Sequence, residues 1–197
     1  VVLAGFGAVG IAPLEGARLL NSALFAAVIL LAGFMILRIS RSGGAALIGA
    51  ELLLVTFSLI EIHSWVMSEP LYMLLALLSI HLLSRGVAAA DRRWSALGGL
   101  LAAGASLTRY VGLALVASGA LCIVTLGPRN WKWRLTSAAL FLVVGGLPAL
   151  LWIGLAASGE NSLAGRPVVF HPMNPALLDA YKGELVSWVF AGQLPLP

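Results

Sequence analysis

Hydrophobic positions in this chain come as long continuous runs, not as the alternation of strands or the stripes of soluble helices. The runs are Leu19–Leu37, Ala45–Ile62, Trp65–Ser84, the pair Ser95–Thr108 and Val111–Leu126, and Leu135–Ala157. They are rich in Leu and Ala, which favours helices over strands. About 20 apolar residues span a bilayer as a helix rising about 1.5 Å per residue. Counting the pair as two, the pattern predicts six spanning helices. Val1–Ile11, closed by Pro13, is too short to span and reads as a re-entrant or interfacial piece. Ser95–Thr108 reaches only about 21 Å against roughly 30 Å of hydrocarbon, so Arg109 is expected below the outer surface. Its small residues, Gly98, Gly99, Ala102, Ala103 and Ser106, stand at spacings that let helices approach closely. Gly145, Gly146 and Pro148 predict a kink in the last span.

Polar positions then sort the ends. Arg38 and Arg41, then Arg85, Arg92 and Arg93, then Arg129, Lys132 and Arg134 supply 8 of the 12 basic residues from three alternate loops. The positive-inside rule makes that side cytoplasmic. Glu15, Glu61, Glu69, Glu160, Asp179 and Glu184 fall on the other side. Beyond the last span, Gly159–Asn174 is polar, and Asn174-Pro175 suits a helix start. Leu177, Leu178, Tyr181, Leu185, Trp188 and Val189 then share one face, with Asp179, Lys182 and Glu184 away from it, which predicts an interfacial helix on the outer surface. The expected architecture is all-α: a polytopic transmembrane bundle over residues 1–158 and an extracytoplasmic loop with its amphipathic helix over 159–197.

Composition sharpens this reading in one respect. The chain is 60% hydrophobic and 10% charged, against about 25% charged in soluble domains, so lipid is its solvent. The net charge of +4 then reports loop placement relative to the bilayer, not nucleic-acid binding. A lone Cys122 allows no intrachain disulfide. Val1–Ile11 has no basic n-region of a signal peptide, and both ends read as cut, so the chain is expected to be an internal piece of a longer protein.

Candidate chemistry concentrates in Ile60–Tyr72, where Glu61, His63, Ser64, Ser68 and Glu69 lie between apolar runs. Glu69 has two compatible readings. With Ser68 as cap and Pro70 in the first turn, it suits the positive end of a helix dipole; it also stands where a cavity-facing carboxylate would bind a hydroxyl or metal. Glu61 and His63 read as cavity-lining or as solvated loop residues. One His and two Glu without ligand spacing leave metal use open. Arg109, followed by Tyr110, reads either as a phosphate-binding fork or as an Arg snorkelling to headgroups beside an aromatic belt. Arg166 and His171 in the outer tail could reach over the same cavity. Glu51 and His81 lie toward the cytoplasmic side, where a contact between them is conceivable. No Walker loop, nucleophile elbow, HExxH or paired CxxC is present.

Three stretches go further. Pro13-Leu-Glu-Gly-Ala-Arg-Leu-Leu-Asn21, Met67-Ser-Glu-Pro-Leu-Tyr72 before a Leu-rich helix, and Gly98–Tyr110, in this order and spacing, resemble the C-type membrane glycosyltransferases of family 39, the protein-mannosyltransferase and aminoarabinose-transferase kind. Gly165-Arg-Pro…His171-Pro resembles the segment after that group's seventh helix. The resemblance implies a transferase of the bacterial inner membrane that moves a hexosyl or pentosyl unit from a polyprenyl-phosphate carrier to a lipid, glycan or protein acceptor at the extracytoplasmic face. It puts the acidic base in a first outer loop upstream of Val1, so no catalytic residue is assigned here, and the six spans become the second to seventh. It makes Arg109, with Tyr110, the candidate for holding the departing phosphate. The rival readings are a transporter or flippase segment and a non-catalytic membrane subunit.

Overall fold

The computed structural model describes residues 6–8, 10–128, 130–158, 179 and 182. Among the described residues, beyond a turn of helix at residues 6–8, the chain up to residue 158 forms seven helices: α1 Pro13–Ser40, α2 Gly43–Leu54, α3 Phe57–Ser64, α4 Glu69–Ala89, α5 Arg92–Thr108, α6 Gly112–Leu126 and α7 Trp131–Ser158. The chain is an all-α membrane bundle. Among the described residues, the helices that pass as spans by length and composition are fewer than the six expected. By length and composition, α1, α4 and Trp131–Leu155 of α7 can each cross a membrane, and α2 with α3 makes a fourth if the bent pair is one span. The 17-residue α5 and 15-residue α6 fall short, because two arginines occupy the start of one and the chain turns at Arg109–Val111 before the other.

Element boundaries follow local chemistry. α1 starts at Pro13, six residues before the apolar run, since proline loses nothing at a first-turn position whose N–H has no helical partner. Ser42 caps α2 by accepting from the Ala45 amide at 3.2 Å, and Asp91 caps α5 by accepting from the Arg93 amide at 2.9 Å. The expected continuous second helix is broken between Leu54 and Phe57, with a bend of 57°. Val55 caps α2, Thr56 turns extended, and the Thr56 hydroxyl donates to the Leu52 carbonyl at 2.6 Å. That bond satisfies a carbonyl the break would otherwise leave bare. α7 runs on through Pro148 to Ser158.

The core forms around α5, whose Gly98, Gly99, Ala102, Ala103, Ala105 and Ser106 are buried. A Cβ on Gly98 would stand 3.2 Å from the Ser79 carbonyl of α4, and one on Gly99 3.3 Å from the Phe141 carbonyl of α7. Two helices therefore meet α5 at backbone distance, the use of small residues that lipid-embedded packing favours. The Ser79 hydroxyl donates to the Gly98 carbonyl at 2.8 Å across the first contact. Leu83, Val116, Ala120, Ile123, Trp133 and Phe141 close the rest of the core. Outward faces stay apolar, with Leu30, Ile39, Val55 and Leu126 exposed, as expected of a surface solvated by lipid.

Contacts between elements fix which loops share an end. Asn21, early in α1, bonds the Trp65 carbonyl after α3, and Glu69 at the start of α4 pairs with Arg109 at the end of α5. At the opposite end, the Trp133 indole donates to the Ala90 carbonyl at 2.9 Å and the Arg85 guanidinium lies 4.2 Å from the Trp94 ring. Arg134 donates to the Pro128 and Val124 carbonyls there, closing the end of α6.

Candidate functional site

At the first of these ends lies a cavity of about 550 Å³. Its walls are the start of α4 (Met67, Ser68, Glu69), the end of α5 and its turn into α6 (Ser106 to Val111), and Ala149 and Trp152 of α7. Arg109 is the C-cap of α5, in extended backbone, and Gly112 packs so closely onto Ser106 that a Cβ on Gly112 would collide with the Ser106 backbone nitrogen, which keeps the turn tight.

The Arg109 Nη1 donates to Glu69 Oε1 in a half-buried ion pair. An arginine near a membrane interior needs such a partner, and one carboxylate oxygen uses one edge of a five-donor fork. Among the described residues, no other hydrogen bond engages the remaining donors of Arg109. The Ser106 hydroxyl donates to the Ala102 carbonyl at 2.9 Å and the Thr108 hydroxyl to the Gly104 carbonyl at 2.7 Å. Both hydroxyls therefore have their protons committed to carbonyls of α5. Donors come from Arg109, the Ser68 hydroxyl, which is not bonded to α4's first turn, and the exposed Tyr110 and Trp152.

Ser68 was expected to cap α4 through its side chain. It lies instead in helical backbone with no side-chain cap bond, because the preceding residues form a tight turn that already aims the chain into α4. Of the sequence candidates, Glu69, Arg109 and Tyr110 line one cavity; Glu61 and His63 are not among its lining residues. α3 turns His63 inward, where its Nδ1 lies 2.7 Å from the Leu59 carbonyl and its ring 5.0 Å from that of Phe25. Glu61 points to the outside. Arg166 and His171 lie outside the described residues, as does the expected interfacial helix apart from Asp179 and Lys182, which are helical, exposed and paired at 2.9 Å. Glu51 and His81 do not meet: Glu51 is exposed on α2, and His81 is buried on α4 against the Phe34 ring at 5.6 Å. Among the described residues, no group of three or more His, Cys, Asp and Glu is placed to hold a metal ion.

Two residues escaped the sequence reading. Trp152 signals only as one more aromatic near a helix end. Asn21 carried a usable signal, an amide inside an apolar span, which must find a partner.

Residues 4–159 match the family of the dolichyl-phosphate-mannose-protein mannosyltransferases. The chain belongs to that family. Membership places it among the membrane glycosyltransferases of the C type and agrees with the resemblance carried by Met67–Tyr72 and Gly98–Tyr110. No curated protein and no solved structure matched the chain. Within the family match fall all the residues that line the cavity.

Proposed function

We propose that this cavity serves the transfer of a sugar from a polyprenyl-phosphate carrier to an acceptor hydroxyl, with Arg109 holding the phosphate. The observation that carries the reading is Arg109 itself: a guanidinium lining a cavity, braced on one edge by Glu69 and, among the described residues, with no second side-chain partner. A planar fork of N–H groups matches phosphate oxygens in shape and charge. The family's description names dolichyl-phosphate-mannose as donor and protein as acceptor; for this chain we carry over the donor's chemical class alone. The uncapped start of α4 adds the positive end of a helix dipole on the same wall.

In this scheme the acceptor oxygen attacks the anomeric carbon while the bond from that carbon to the phosphate oxygen breaks. The electron pair leaves on the phosphate, whose growing charge Arg109 meets. The acceptor's proton passes to a base that the family resemblance puts upstream of Val1. Tyr110 and Trp152 offer aromatic faces at the mouth of the cavity for the sugar or the prenyl chain. Placement at the extracytoplasmic face of a bacterial inner membrane is supported by charge: Arg38, Arg41, Arg92, Arg93 and Lys132 all gather at the end remote from the cavity.

The test is sugar transfer by the full-length protein in membranes, with and without the side chain. Arg109→Ala is expected to lower turnover by about 10²–10³-fold, the scale of losing a donor to developing charge. Turnover unchanged in a correctly inserted variant would refute the assignment.

A further inference from the structure

The turn between α3 and α4 delivers Met67, Ser68 and Glu69 to the cavity, yet none of the residues from Ser64 to Ser68 is buried. Side-chain packing therefore does not hold it. Its anchor is the Trp65 carbonyl, which accepts the Met67 amide at 2.9 Å and the Asn21 side-chain amide at 2.7 Å. The first of these closes a three-residue turn. The second comes from 44 residues away, from a side chain only 5% exposed on a helix that contributes no residue to the cavity wall. Both lone pairs of that carbonyl are used. One helical turn further along α1, Phe25 packs on the His63 ring, so the same face of α1 holds the end of α3 and the turn that follows it.

We infer that Asn21 is a positioning residue: by bonding the Trp65 carbonyl it sets the turn that presents Ser68 and Glu69, and through Glu69 it sets the direction of the Arg109 guanidinium. The consequence for ligand binding rests on the phosphate reading above; the tether itself does not. An Asn at this place has a strict chemistry. The carbonyl demands a donor, so aspartate, nearly the same size, supplies the wrong group, and leucine supplies none.

The experiment uses the full-length protein in lipid nanodiscs, comparing Asn21→Asp, Asn21→Leu and Asn21→Gln with wild type. Hydrogen exchange is read at residues 65–68, and affinity is measured for polyprenyl monophosphate, the leaving lipid. In the Asp and Leu variants, exchange at 65–68 is expected to rise while α5 to α7 stay protected. Affinity should fall about tenfold, the scale of one lost hydrogen bond. Gln, which keeps an amide donor, should recover part of both. Unchanged exchange at 65–68 in the Asp and Leu variants would overturn the tether, and raised exchange with undiminished affinity would overturn the positioning role. Wild-type protein that binds no polyprenyl monophosphate would sink the phosphate reading instead, while exchange at 65–68 still decides the tether.

Discussion

Arg109 and Glu69 sit 40 residues apart and form one half-buried pair. Each was visible in the sequence as a polar residue at the edge of an apolar run; the pairing was not, because it depends on which helices lie side by side. The reading of Glu69 as a dipole partner captured its place in the first turn of α4 and missed its bond. The separation of roles is testable. Glu69→Gln keeps a hydrogen-bond acceptor for Arg109 without the charge, whereas Glu69→Ala leaves the guanidinium unbraced. Turnover should fall in the order wild type, Gln, Ala, with inserted protein yield similar for all three. Equal turnover in wild type and Ala would remove Glu69 from the site. His63 teaches the converse: among the polar residues of Ile60–Tyr72 it looked as available as Glu69, but α3 turns it to Phe25, a matter of a few tens of degrees that spacing along the chain cannot resolve.

At the scale of elements, the sequence was most informative where chemistry is local. Five of the six expected spans correspond to single helices, the small residues of Gly98–Ser106 mark the real close approaches, and Pro70 stands in a first turn. The break in the second span was illegible, since Leu53-Leu-Val-Thr56 carries neither Gly nor Pro; a backbone choice by Val55 and a Thr56 back-bond make it. Gly112 is the element-scale counterpart of Arg109. Adding a Cβ there would drive into the Ser106 backbone, which cannot step aside. Gly112→Ala is therefore expected to cost about 1–3 kcal/mol and to weaken polyprenyl phosphate binding as the α5–α6 turn shifts. Thermal unfolding in detergent together with binding in nanodiscs checks both; a neutral effect on each would contradict the turn's role. Gly119→Ala, whose new Cβ would meet the Phe141 ring at 2.6 Å, should destabilise comparably, and at a core position of α6 away from the cavity should disturb binding less.

For the whole molecule, two ends of opposite character emerge from the same chain. One gathers the exposed basic residues Arg38, Arg41, Arg92, Arg93 and Lys132; the other holds the cavity with Glu69 and Arg109. Impermeant thiol reagents should label a cysteine at Met67 from outside the cell and one at Arg41 only after permeabilisation; the reverse pattern would invert the proposed orientation. The grip of Arg109 on a lipid phosphate, in a cavity of a membrane glycosyltransferase, is the centre of the proposed function. The most direct measurement is the affinity of the full-length protein in nanodiscs for polyprenyl monophosphate with Arg, Lys or Ala at this position. Loss of charge-assisted hydrogen bonds, roughly 1.5–3 kcal/mol, predicts that Arg109→Ala weakens binding by about 10- to 100-fold, with Arg109→Lys between the two. An Ala variant that binds polyprenyl monophosphate as tightly as wild type would contradict the account.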